Sequence, residues 1–317
     1  MKETDERLIT RSLESMNHFF ASNQTKSIDF RVSQLRKLKK SILNYQERIQ
    51  HALWDDLHKS PEEAYLTEIS IVLSEIDNHT KHLKKWSKPK RVSTPIHLRP
   101  SSSKIIYEPL GIALIVAPWN YPFQLLFNPL IGAISAGCCA LLKPSPDTPT
   151  TAKLMQEIIE STFSPNYITL VQGGRETNTH LFNKRFDLIF FTGSPKVGKV
   201  VMKAAAEHLT PVVLELGGKS PCIVDKDANL DIAAKRIVFG KLINAGQTCI
   251  APDYMFAHHS IKYELLNKIV FHTKQMYGDN PKKNRFYPRI VNDRAMIRLG
   301  ELLHEGTLYS GGDIDYK

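Results

Sequence analysis

From residue 109 onward the chain repeats one pattern: a short unbroken apolar run, a proline or glycine near its end, then a stretch of helical period. The runs are GIALIVAP, CCALLKPS, NYITLVQGG and RFDLIFFTGS, and stretches such as TTAKLMQEIIESTF stand between them. An apolar run without polar alternation suits a strand covered on both faces. Strands that alternate with helices predict βαβ units and a parallel sheet, hence an α/β fold. Ligands of such sheets sit beyond the carboxyl ends of the strands. The residues to inspect are therefore Pro118-Trp119-Asn120, Lys143-Pro144-Ser145, Gly173-Gly174 and Thr192-Gly193-Ser194.

The flanking segments read differently. Residues 1–87 are helical in pattern. RVSQLRKLKKSILNYQERIQHALWDDL sets Val32, Leu35, Ile42, Ile49 and Leu53 on one face of a helix. Ser60, Pro61 and Glu63 read as a capping box that starts the next one. Residues 88–108 hold three prolines and short β-prone runs, which predicts a linker carrying a hairpin. The dinucleotide-type unit is expected over 109–208 and a second unit over 209–317. In that second unit two strand-like runs and a helix lead to a glycine-containing turn, INAGQTCIAP, that holds Cys249. The last segment reads as a helix, then a strand that turns at Gly311-Gly312.

Composition narrows the function classes. The chain has 317 residues, 42% hydrophobic and 23% charged, which is ordinary for a water-soluble globular protein. No apolar run is long enough to span a bilayer, so no transmembrane segment is expected. The polar, acidic start does not resemble a secretory leader. Four cysteines without a C-x-x-C pair fit a reducing cytoplasm and argue against a metal site. Cys138, Cys139 and Cys222 read as core residues. The net charge is +10, and residues 81–104 contain no Asp or Glu. A basic surface attracts phosphate, but no nucleic-acid-binding motif accompanies this one, so it reads as a solvated hairpin and no nucleic-acid partner is expected.

Several residues carry two readings each. Cys249 is a small buried hydrophobe or a nucleophile. Glu215 lies inside the apolar run VVLELGG. It is a buried carboxylate tuned upward into a general base, or an edge-strand glutamate facing water. Asn120 is a donor to a developing oxyanion or a helix cap. Lys143, at a strand end, reaches a ribose or a phosphate, or leaves the sheet for solvent. FTGSPKVG (residues 191–198) is a helix N-terminus able to hold an anion, or a tight turn capped by Ser194.

Taken together, VAPWNYPFQL, LLKPSP, VQGG, FTGSPKVG, LELGGKSP and GQTC, in that order, resemble the aldehyde dehydrogenase superfamily. The stretch HLTPVVLELGGKSPCIVDKDANLDIAAKRIVFGKLINAGQTCIAPDY is similar to its class 3 and fatty aldehyde branch. The resemblance implies a Rossmann-like dinucleotide-binding domain followed by the first part of an α/β catalytic domain. It implies oxidation of a small-molecule aldehyde to a carboxylic acid with NAD or NADP, through a thiohemiacetal and thioester on Cys249. Asn120 and the Cys249 N–H would hold the oxyanion, and Glu215 would activate water. Trp119, Lys143, Gly193, Ser194 and Gly198 would line the cofactor site. Glu215 within ELGGK argues against an acyl-CoA-forming relative. Pro146 stands where many NAD-preferring members carry a glutamate, which leaves NAD against NADP open. Family members exceed 400 residues and are homo-oligomers, so a C-terminally truncated chain of impaired activity is expected. The alternative is an inactive dinucleotide-binding remnant.

Overall fold

The computed structural model describes residues 2–315. Five helices open the chain: α1 (Glu6–Ala21), α2 (Ile28–Asn44), α3 (Gln46–Leu57), α4 (Pro61–Ala64) and α5 (Ser70–Trp86). The single helix expected over the RVSQ…WDDL stretch is in fact two, because the chain leaves the helical region at Tyr45. Leu35, Ile42, Ile49 and Leu53 are nonetheless fully buried, so one apolar stripe runs across the break. A π-helical turn, Tyr65–Ile69, joins α4 to α5. Glu68, within this turn, is fully buried.

A short antiparallel hairpin, β1 (Lys90–Val92) with β2 (Ser103–Ile105), follows and is exposed to solvent. The main sheet comes next: β3 (Ile112–Val116), α6 (Gln124–Ala136), β4 (Cys139–Lys143), α7 (Pro149–Thr162), β5 (Ile168–Leu170), α8 (Arg175–Phe182), β6 (Leu188–Gly193), α9 (Pro195–Ala206) and β7 (Val212–Leu216). All pairings are parallel and the order is β5-β4-β3-β6-β7. The chain winds outward one way from β3, then returns to its other side at β6. That reversal makes a switch point between the carboxyl ends of β3 and β6, where α/β sheets bind ligands. β3 and β4 are buried along their whole length. They share one core with Ile9, Leu13, Met16, Leu38 and Val72 of the opening helices. The helical N-terminus thus covers the sheet and is not a separate layer.

β7 pairs with β6, so the boundary expected at 208/209 falls one strand before the sheet ends. A second, smaller parallel pair follows: β8 (Ser220–Val224), α10 (Leu230–Leu242) and β9 (Pro252–Ala257), then α11 (Lys262–Tyr277) and α12 (Asp293–Leu302). It has its own apolar cluster of Val224, Ala234, Ile261 and Leu265. Cys138 and Cys139 are core residues, whereas Cys222 is only half-buried at the edge of this small cluster. The strand expected before Gly311 does not form. Residues 307–310 are irregular and pair with no strand among the described residues. Among the described residues no helix is long and apolar enough to cross a membrane.

Candidate active site

Two clefts open at the switch point. The larger is about 950 Å³ and is lined by Trp119, Asn120, Glu215, Gln247, Thr248 and Cys249, with an apolar floor from α6. The smaller is about 440 Å³ and holds Lys143, Pro144, Ser145, Asn178, Asn292, Arg294 and Val197. Pro118, Trp119, Thr192, Gly193, Ser194 and Arg298 line both, so the clefts meet over the ends of β3 and β6. The fold therefore brings together Trp119, Asn120, Lys143, Gly193, Ser194, Glu215 and Cys249, whereas Gly198 and the Gly173-Gly174 pair line neither cleft. A Cβ on Gly198 would stand 2.9 Å from Leu216 Cδ2, so its lack of a side chain serves the close packing of α9 on β7.

The local chemistry of each residue follows from its element. Lys143 ends β4 and is fully buried, and its Nζ donates to the Pro144 carbonyl at 2.7 Å. Burial pulls its ammonium down from 10.5 to about 8, against smaller opposing effects from Glu3 and Asp147. Ser194 caps α9, accepting from Val197 N–H at 3.4 Å, and Pro195 takes the first helical position. Pro195 has no N–H, and the Val197 and Gly198 N–H groups are taken by Ser194, which leaves the Lys196 N–H of that first turn for an anion. Thr192 Oγ1 and Asn178 Oδ1 are buried without a hydrogen-bond partner among the described residues. Orphaned polar atoms at a cleft wall, next to Lys143, Arg294, Arg298 and a helix N-terminus, fit the phosphates and hydroxyls of a dinucleotide.

Of the two readings of Glu215, the structure matches the edge-strand one: β7 is the sheet edge among the described residues and Glu215 is exposed. Strand register still sets it beside Thr192 at the mouth of the larger cleft. Asn120 was read as a donor to an oxyanion or a cap. Its Nδ2 donates to the Gln247 carbonyl at 2.9 Å, tying the β3 loop to the Cys249 turn, and one further N–H is left for a ligand.

Cys249 itself is exposed, on the turn between α10 and β9. Asn244, Ala245 and Gly246 all have left-handed backbone, with φ of 53°, 52° and 78°. A left-handed residue other than glycine costs about 1–2 kcal/mol, with Asn more tolerant than most. Two in succession, Asn244 and Ala245, call for external restraint. The hydrogen bonds are dense: Asn244 Nδ2 to the Asn120 carbonyl at 2.7 Å, Gln247 Nε2 to the Arg289 carbonyl at 3.0 Å, and Val291 N–H to Gln247 Oε1 at 3.0 Å. Tyr121 Oη and Thr248 Oγ1 lie 2.5 Å apart, and burial pushes the Tyr121 phenol up to about 12.

Beneath this turn lies a charged cluster that sequence reasoning missed. Lys59 and Glu68 are both fully buried and pair at 2.6 Å. Glu68 Oε2 accepts the N–H groups of Phe123 and Gln124 at 2.8 and 3.1 Å, satisfying the start of α6. Lys59 Nζ donates to the Asn120 carbonyl at 3.3 Å and sits 4.3 Å from the Tyr121 ring centre. Glu63 completes the group. Ser60 caps Glu63 N–H at 3.2 Å as expected, but the reciprocal half of the capping box is missing. The Glu63 carboxylate instead accepts Asn244 N–H at 2.7 Å. A signal existed in the sequence: Glu68 falls among Ala64, Ile69 and Val72, on an apolar helix face.

Five parallel strands, a switch-point cleft pair and a cysteine on a restrained turn define a nucleotide-type α/β protein of the aldehyde dehydrogenase architecture. The chain belongs to the aldehyde dehydrogenase family, whose model matches residues 1–308. It is 49% identical over 290 residues to a 4,4'-diaponeurosporen-aldehyde dehydrogenase of Staphylococcus aureus, covering 92% of this chain and 63% of that protein. It is 41% identical over 307 residues to a dimeric NADP-preferring aldehyde dehydrogenase of Rattus norvegicus, covering 97% of this chain and 68% of that one. A solved structure described as the substrate-bound state of Staphylococcus aureus AldH superposes with a TM-score of 0.91 at 48% identity, over 93% of this chain and 65% of that one. The chain thus spans about two thirds of the length of these relatives.

Proposed function

We propose that the chain oxidises an aldehyde to a carboxylic acid with a nicotinamide dinucleotide. The observation that carries this reading is that Cys249, Glu215 and Asn120 line one cleft, which meets the Lys143 cleft at Trp119 and Thr192–Ser194. Lys143, Ser194, the first turn of α9 and Arg298 would hold the dinucleotide, which when bound supplies the hydride acceptor. Cys249, as thiolate, attacks the aldehyde carbon and forms a thiohemiacetal. The free N–H of Asn120 and the Cys249 backbone N–H steady the oxyanion. After oxidation the acyl group remains on Cys249 as a thioester. Glu215 takes a proton from water, and the hydroxide releases the acid and restores the thiol.

Three cations and no carboxylate stand among the described residues of the smaller cleft, which supports acceptance of a 2′-phosphate and so of NADP beside NAD. The rat relative's printed NADP preference points the same way. A second reading, a remnant that binds dinucleotide without turnover, is favoured by one observation: β7 is an uncovered edge and leaves Glu215 in solvent. Absorbance at 340 nm with hexanal or benzaldehyde, NAD or NADP, and a Cys249→Ala control separates the two. Cofactor reduction that disappears in the variant supports turnover. Dinucleotide binding by calorimetry without reduction, in folded protein, leaves the remnant. Reduction that persists in Cys249→Ala overturns the assignment of the nucleophile.

A further inference from the structure

We propose that Glu63 is a positioning residue for the Cys249 turn, acting through the backbone of Asn244. The turn is an unusual demand on the chain. Asn244 and Ala245 are both non-glycine residues in left-handed conformation, directly before Gly246. Asn244 is also fully buried, so its N–H has no access to water. A buried N–H without a partner is strongly disfavoured. The partner comes from the far side of the site: Glu63, in the first turn of α4, reaches Asn244 N–H at 2.7 Å over 181 residues of sequence.

The charge of Glu63 is accommodated by what surrounds it. Burial pushes its carboxyl up, while Lys59 and the Asn244 hydrogen bond hold it down. Lys59 is itself fixed by Glu68 at 2.6 Å. The helical N-terminus is therefore wired to the Cys249 turn by one acceptor oxygen on a side chain that a capping box would have kept at home. Loss of that acceptor frees Asn244 to leave the left-handed region, and the orientation of Cys249, five residues on, is lost with it.

The inference uses the proposed nucleophilic role of Cys249 only for its meaning, not for its test. Hydrogen–deuterium exchange of the full chain reads the Asn244 N–H directly. In Glu63→Ala, a peptide covering 244–249 should exchange at least tenfold faster, while a peptide covering β3 and β4 keeps the rate of the parent protein. Glu63→Gln, which keeps an acceptor oxygen at the same reach, should restore protection to within threefold. Iodoacetamide labelling of Cys249 should change at least threefold in Glu63→Ala and return in Glu63→Gln. Unchanged exchange over 244–249 in Glu63→Ala overturns the proposal, as does equal acceleration everywhere. Glu63→Gln behaving like Glu63→Ala, or Cys249 labelling at the parent rate in Glu63→Ala, also overturns it. Failure here leaves Cys249-dependent aldehyde turnover untouched, whereas failure of the functional proposal shows as no cofactor reduction by the folded parent protein, or as reduction that persists in Cys249→Ala.

Discussion

Lys143→Met should stabilise the protein while removing its affinity for a dinucleotide. Lys143 is 1% exposed at the end of β4, and burial lowers its ammonium from 10.5 to about 8. At about 1.36 kcal/mol per pH unit, that drop corresponds to about 3 kcal/mol that folding spends on keeping the charge inside. Methionine has similar length and no charge. It also forfeits the Nζ bond to the Pro144 carbonyl, which from a charged donor is worth about 1.5–3 kcal/mol. The net expectation at pH 7 is a gain of about 1 kcal/mol, or roughly 1–2 °C in melting temperature for a chain of this length. The sign with pH is fixed. Between about pH 8 and 10.5 the unfolded chain keeps the Lys143 proton that the folded one has released, so this contribution to stability rises with pH. Below pH 8 both forms are charged and the penalty is complete. The advantage of Lys143→Met should therefore be largest below pH 8 and shrink toward pH 10.5. Thermal melts of parent and variant from pH 7 to 10, with calorimetric titration of NAD and NADP, give the answer. A variant no more stable than its parent at pH 7, or a gap that widens with pH, refutes the reasoning.

Other consequences are more local. Lys59→Met leaves the buried Glu68 carboxyl without its cationic partner, and should cost about 3–5 kcal/mol in urea titrations. The double variant Lys59→Met/Glu68→Gln should recover part of that loss, since both charges leave together. Gly198→Ala sets a methyl 2.9 Å from Leu216 Cδ2, the tip of a partly exposed side chain that can turn away, while alanine favours the helix by about 1 kcal/mol, so stability should change by no more than about 1 kcal/mol. Its dinucleotide affinity should stay within twofold of the parent by calorimetry, because Gly198 lines neither cleft; a large loss would place it at the cofactor after all.

The fold was legible where burial leaves one reading. GIALIVAP and CCALLKPS admit no polar face, and both became strands covered on two sides at the centre of the sheet. VVLEL has nearly the same composition, yet β7 lies at the sheet edge with its side chains half in solvent. Composition records that a segment prefers a strand. It does not record how many neighbours that strand will find, and that number decides whether Glu215 is desolvated. The break at Tyr45 escaped for a related reason. The apolar stripe continues through it, and the stripe, not the backbone, is what periodicity reports.

The site divides along the same line. Trp119, Lys143, Gly193 and Ser194 could be picked out because each stands directly after a strand-forming run, and strand ends converge at the switch point of any sheet wound this way. The machinery that holds them could not be found so, because it joins segments far apart in sequence. Glu68 meets Phe123 across 55 residues, and Glu63 meets Asn244 across 181. In both cases a carboxylate that local rules assign to its own helix satisfies a backbone donor elsewhere. The reason is energetic. The N–H groups of Asn244 and Phe123 lie in the interior, where water cannot replace a missing acceptor, and a buried donor left without one is costly, so the carboxylates go there. A helical N-terminus that looks like a mere cover for the sheet is thereby built into the turn that presents Cys249.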